Sequence, residues 1–215
     1  MRSRFADTFN HDADAPDYDI DVSNETHPVR AGYAELLEWT ARQAQIGDKD
    51  VVLELGVGTG NLTQRLLPAK RLVAVDVSHA MLSIAQTKVT GPIEWICGDL
   101  LEYFDRRATR FDRVVSTYAI HHLTQDEKLT LFHRIRDAVN PRARVVFGDL
   151  MLESAQHRTL ALKHYASTWP DVAQAIEEEF FWLLDESIEA LENLGFAVDT
   201  RRFSDLSWGL VATLD

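Results

Sequence analysis

Two adjacent histidines, His121 and His122, close the run VVSTYAIHHL at 114–123, and three acids, Glu54, Asp76 and Asp99, each end an apolar run. The first of these acids stands two residues before a turn with glycines at 56, 58 and 60. Histidine titrates near neutrality and is the natural side chain to take a proton from a nucleophile. Adjacent residues point to opposite faces of a strand, or about 100° apart on a helix, so the pair is poorly placed to chelate one ion. No cysteine or further histidine stands nearby at a ligand spacing, and no metal is expected. His121 is then the cleft-facing base, with Tyr118 beside it, and His122 is structural; a hydrogen-bonding role for both is the alternative.

The turn VLELGVGTGNLT offers different chemistry. Glycines between a strand and a helix allow positive φ and remove the Cβ atoms that would keep a ligand from the backbone. A dinucleotide fingerprint requires G-x-G-x-x-G, whereas here the third glycine comes one position early and Asn61 fills its slot. Glu54, inside the strand end, would sit awkwardly beside a pyrophosphate, which points to a cofactor of positive charge and away from a nicotinamide dehydrogenase. Asp76, which follows Glu54 by 22 residues, can accept ribose hydroxyls, or else caps a helix ahead of Ser78. Asp99, in CGDL, can accept from an exocyclic amine under the apolar cover of Leu100, or else is a turn aspartate.

Strands and helices must alternate to bring these groups together. Apolar runs at 50–55, 71–77, 93–97, 113–118 and 144–150 read as strands of a parallel sheet, with a short helix after the glycines and longer ones from Ser78 and Thr124. Thr124 and Glu127 are spaced as a capping box. Residues 154–194 read as helical, broken near Trp169 and Pro170 and ended by Gly195; FAVDTRRF and SWGLVATL then form an antiparallel hairpin. A helix from Gly32 to Gly47 precedes the first strand. Ahead of it, a stretch with six aspartates and two prolines reads as a loop-rich lid with at most a short helix at its start. The expected organisation is a lid at 1–31 and one domain at 32–215, with a helical insertion at about 154–194. Its sheet has seven mostly parallel strands, doubly wound in the order 3-2-1-4-5-7-6.

Composition narrows the function classes. The chain has 22 basic and 34 acidic residues, a net charge of −12, and its cations are scattered, which disfavours nucleic acid as a partner. A single cysteine excludes an internal disulfide framework, and no apolar run reaches spanning length, so a cytoplasmic protein with no membrane partner is expected.

The E-x-G-x-G-x-G turn, the acid after the second strand, the GDL after the third and the strand FDRVVSTYAIHHL resemble class I S-adenosylmethionine-dependent methyltransferases. GVGTGNLT with VSTYAIHHLTQDEK is most similar to the small bacterial YrrT-type members. The resemblance implies a Rossmann-like fold and S-adenosyl-L-methionine as cofactor. It implies that Gly56, Gly58 and Gly60 lie along the methionine portion, supported by Glu54, with Asp76 and Val77 at the ribose and Asp99 and Leu100 at the adenine. Ser116 and Thr117 would line the floor beside the methyl group, and Tyr18 would approach the cofactor from the lid. The reaction implied is methyl transfer to a small-molecule acceptor; a module that binds the cofactor without transfer would carry the same motifs. NPRAR, before the fifth strand, replaces a glycine pair common in the family, and the aspartate-rich DADAPDYD is unusual.

Overall fold

The computed structural model describes residues 1–106 and 109–214; Asp215, the expected end of the domain, lies outside them. Five parallel strands form the centre of the sheet: β1 (Val51–Leu55), β2 (Arg71–Asp76), β3 (Ile93–Cys97), β4 (Phe111–Thr117) and β5 (Val139–Leu152). A short strand, β6 (Trp182–Leu183), pairs in parallel with the end of β5. The hairpin of β7 (Ala197–Arg202) and β8 (Ser207–Thr213) joins antiparallel through β8, giving the order β3-β2-β1-β4-β5-β8-β7. The expected order therefore holds, and β6 makes the strand number eight instead of seven.

The inner strands β1, β2, β4 and β5 are apolar on both faces along their buried stretches because helices cover both, while β3, at the sheet edge, is only partly buried. The helices, in chain order, are α1 (Tyr18–Val22), α2 (Tyr33–Ala44), α3 (His79–Lys88), α4 (Gln125–Ala138), α5 (Ala155–Thr168), α6 (Pro170–Glu178) and α7 (Leu184–Asn193). Leu53, Leu55, Val114 and Phe147 pack against α4 and α7 through Phe132 and Leu191. Val52, Leu72, Val115 and Val146, which alternate with them, pack with Leu36 and Leu37 of α2. Gly148 and Gly209 are paired across β5 and β8, and a Cβ on either would come within 2.2 Å of α2, at Leu36 or Trp39. This bare stripe lets α2 lie close on the sheet and brings Tyr33 at its start to the cleft.

Several local expectations change. The helix expected after the glycine turn is only a 3-10 turn, Thr63–Arg65. α2 ends at Ala44 with Gln45 in the left-handed region at φ 50, ahead of Gly47. The helical stretch at 154–194 breaks at Trp169, as its proline required, but it is also interrupted by the extended segment that leads into β6. The helix of the N-terminal segment lies at Tyr18–Val22, near its end and not at its start. β5 begins at Val139, ahead of the start expected at 144, and within NPRAR Arg142 itself takes a φ of 63.

Candidate functional site

The carboxyl ends of β1, β2, β3 and β4 open into a cavity of about 280 Å3, close to the low end of small-molecule pockets, about 300 Å3. Its wall includes Gly56, Gly58, Asp76, Val77, Asp99 and Leu100 on one side and Tyr118, His121, His122 and Glu179 on the other, with Tyr18 and Arg30 from the N-terminal segment.

The glycine turn is shaped by two different demands. A Cβ on Gly56 would stand 2.1 Å from that of Ala119, so this glycine permits the chain after β4 to cross close to the turn. Gly58, at φ 55, would direct a Cβ into open space at the cavity wall, so its bare backbone leaves room for a ligand. The Gly58 amide donates to Asp76 Oδ2 at 2.7 Å and the Ser78 amide to Oδ1 at 2.8 Å. Burial pushes the Asp76 carboxyl above its usual range, while these two amides favour the ionised form. Each oxygen keeps a lone pair for a hydroxyl donor.

Asp99 Oδ1 accepts from the amides of Leu101 at 3.0 Å and Glu102 at 2.9 Å, fixing the start of a 3-10 turn. The N-terminal segment reaches the same carboxylate: the Ser3 amide donates to Oδ1 at 3.1 Å and the Ser3 hydroxyl to Oδ2. Farther along that segment, Asp12 accepts from the Ser78 hydroxyl at 2.5 Å and the Ala80 amide at 3.0 Å, and Asp19 accepts from Thr59 at 2.6 Å and Asn61 at 3.0 Å.

Three expected site residues lie elsewhere. Glu54 is buried beneath the glycine turn and is absent from the cavity wall. Burial raises its carboxyl to about 8, so it is neutral at pH 7 and its charge does not bear on a ligand as the sequence argument supposed. Ser116 is also buried and donates its hydroxyl to the Leu55 carbonyl at 2.6 Å; Thr117 reaches the wall in its place. Gly60 packs on Ala85 of α3, where a Cβ would come within 3.0 Å, and does not line the cavity. Tyr118, at φ 49, lines the wall, but its hydroxyl pairs with Ser207 at 3.0 Å and burial raises its pKa. It is no base.

The histidine pair is the largest departure from expectation. Ile120–His122 forms a 3-10 turn, so the two rings do not diverge; their centroids are 4.0 Å apart. His121 Nδ1 lies 2.5 Å from Asp149 Oδ1, and its Nε2 lies 3.4 Å from Glu179 Oε2. Asp149 is itself fixed by the amides of Ile120, His121 and Leu150 and by Trp182 Nε1 at 3.2 Å. His122 stacks on Phe9 at 4.3 Å and faces His11 across 3.3 Å, so its contacts are with the N-terminal segment.

Asp149 and Glu179 went unread in the sequence. Asp149 carried one signal, an acid inside the apolar strand RVVFGDL; Glu179, in the run EEEF, carried none. Arg30 is one of several polar residues of its segment, yet its guanidinium lies 5.8 Å from the ring centres of both Tyr18 and Tyr118. No acid pairs with it among the described residues, which leaves a cation at the cavity wall.

Comparison with known proteins accords with this architecture. The family model described as a methyltransferase domain matches residues 52–142. An uncharacterized methyltransferase of Oceanobacillus iheyensis is 34% identical over 202 residues, covering 90% of this chain and 91% of its own. The uncharacterized methyltransferase YrrT of Bacillus subtilis strain 168 is 34% identical over 179 residues, 82% of each chain. Among solved structures, the DhpI-SAM-HEP complex superposes with a TM-score of 0.68 at 21% identity, covering 96% of this chain and 95% of that one. Magnesium protoporphyrin IX methyltransferase (ChlM) from Synechocystis PCC 6803, with bound SAH, gives 0.67 at 17% identity over 87% and 86%. The solved structures share the fold, and the similarity of sequence goes further: the chain belongs to the methyltransferase family of these uncharacterized relatives.

Proposed function

We propose that this protein transfers a methyl group from S-adenosyl-L-methionine to a small-molecule acceptor bound at the histidine end of the cavity, with residues 1–31 closing over both ligands. One observation carries the reading: a single cavity runs from Asp99 and Leu100, past Gly58 and Asp76, to His121 and Glu179. When bound, the cofactor supplies an electrophilic methyl group on a sulfonium, open to in-line displacement. The chain's own residues bind, orient and exclude water.

Asp76 accepts the ribose hydroxyls on the lone pairs its two amide partners leave free. Asp99 and Leu100 meet the adenine, Tyr18 and Val77 cover the cofactor, and the bare Gly58 backbone lies along the methionine portion. Gly56, Gly60, Glu54 and Ser116 shape the turn and the strand end from behind. Arg30 is the cation suited to the methionine carboxylate. At the far end, the His121 Nδ1–H is held by Asp149, which leaves Nε2 as the lone pair that draws a proton from the acceptor. Tyr118 is a wall there and not a reacting group.

Titration calorimetry with S-adenosylhomocysteine tests the cofactor half. Asp76→Ala removes a charged acceptor, a loss of about 1.5 to 3 kcal/mol, or about ten- to hundredfold in affinity. Unchanged affinity would sink the assignment. Turnover is tested with a panel of thiols, amines, hydroxyls and carboxylates: tight cofactor binding with no product across the panel would overturn transfer. His121→Ala is expected to lower kcat while leaving cofactor affinity near normal.

A further inference from the structure

The corner that holds His121 crowds acceptors together. His121 gives its Nδ1–H to Asp149, whose other contacts are all with N–H donors, so the carboxylate is fixed as an acceptor. Its Nε2 faces a carboxylate oxygen of Glu179 at 3.4 Å; in the neutral ring two acceptors meet there, and either a second ring proton or a cation must stand between them.

The same holds one residue later. His11 Nδ1 lies 3.0 Å from Asp14, which takes its proton and leaves Nε2 as an acceptor toward His122 Nε2 at 3.3 Å. Where His122 donates there, its Nδ1 is a bare lone pair; in either tautomer that nitrogen is buried and without a partner among the described residues.

One ring nitrogen of His121, one of His122 and one carboxylate oxygen of Glu179 all lie within 4.8 Å of one another. Bonds of about 2.1 Å to a tetrahedral centre set donors about 3.4 Å apart, which is the His121–Glu179 spacing already present. Two histidines and one carboxylate form the donor set of a catalytic divalent-metal site that keeps an open position. A carboxylate behind the ligating imidazole fixes its tautomer and orientation, the part Asp149 plays here.

We propose that His121, His122 and Glu179 bind a first-row divalent cation of the zinc class, with its open coordination position toward the cavity. The cation rests on the reading of this end as the acceptor's, and it gives His121 a second role: in the metal-loaded protein Nε2 is a ligand, and the cation lowers the pKa of an acceptor held at its open position, whose proton leaves to water. His11 lies behind His122, so the N-terminal segment closes against the metal corner as well as the cofactor end.

The test is titration of tag-free, chelator-stripped full-length protein with Zn2+, beside Co2+ as a spectroscopic probe. One saturable Zn2+ per chain is expected, with Co2+ absorption bands of a four- or five-coordinate nitrogen and oxygen site. Glu179→Gln, at a partly exposed position where folding is little at risk, and His122→Asn should each weaken Zn2+ by about tenfold or more. The exposed His133→Ala, as a control, should not. Absence of a saturable site, or unchanged affinity in both variants, would overturn the proposal. S-adenosylhomocysteine affinity on the same samples separates the readings: cofactor binding without Zn2+ removes only the metal, and Zn2+ binding without cofactor removes only the cofactor assignment.

Discussion

Glu54 lies under the glycine turn with Oε2 unpartnered among the described residues, and burial is the main reason its carboxyl is raised to about 8. The folded state therefore holds a proton that the unfolded chain has already released above pH 4.5, its ordinary value. Stability must fall as pH rises from about 4.5 through 8, because over that window the native state binds more protons than the unfolded one. Glu54→Gln removes the cost of ionising a buried group. Chemical denaturation should find it about 1 to 3 kcal/mol more stable than the parent at pH 8. At pH 4.5 the two should be nearly equal; a parallel decline in both proteins would place the titrating group elsewhere. At this scale the cavity positions of Asp76, Asp99, Gly56 and Gly58 were legible, because each stands at or just past the end of a strand in a recognisable motif, whereas Gly60 turned away to pack on α3. The sequence did not disclose Glu179, whose partner His121 is 58 residues away in the chain, 179 against 121, and is met only in the fold.

Lys128 of α4 shows how the elements hold the histidine corner in place. It is fully buried, and its ammonium donates to the carbonyls of Leu123 and Phe180, both at 2.5 Å. Leu123 follows the turn that carries the histidines, and Phe180 follows Glu179 and donates its own amide to the His121 carbonyl at 2.9 Å. One side chain thus ties the two segments whose charged groups meet. Lys128→Met keeps the volume and leaves two carbonyls without donors, at a cost of about 1 to 3 kcal/mol. Turnover should drop while S-adenosylhomocysteine affinity, which depends on the opposite wall, stays within about twofold. An equal loss of both would show that the clamp serves the whole fold. The central strands and the terminal hairpin were legible because period and turn chemistry are local. β6 was not: two residues carry no period, and Trp182–Leu183 is extended only because the end of β5 offers its edge.

Across the whole molecule, no helix among the described residues is long and apolar enough to cross a membrane. How the first residues would lie was beyond reach, since an aspartate-rich stretch has no apolar period of its own. Its aspartates serve instead as acceptors for groups already fixed by the fold, as Asp12 does for Ser78 and Asp19 for Thr59. Phe9 adds the aromatic contact, stacked on His122. If the segment is the lid proposed above, Phe9→Ala should raise the dissociation rate of S-adenosylhomocysteine in stopped flow more than it lowers the association rate.

Ser3 lies on Asp99 at one extremity of the cavity, while Phe9 and His11 lie on His122 at the other. On the proposed reading a single stretch of chain guards both doors, and neither the spent donor nor the methylated product departs while it is shut. Exchange of the two becomes one event, and the pace of the catalytic cycle is expected to follow the opening of that stretch: kcat should decline as solvent viscosity rises, even for acceptors that differ widely in nucleophilicity.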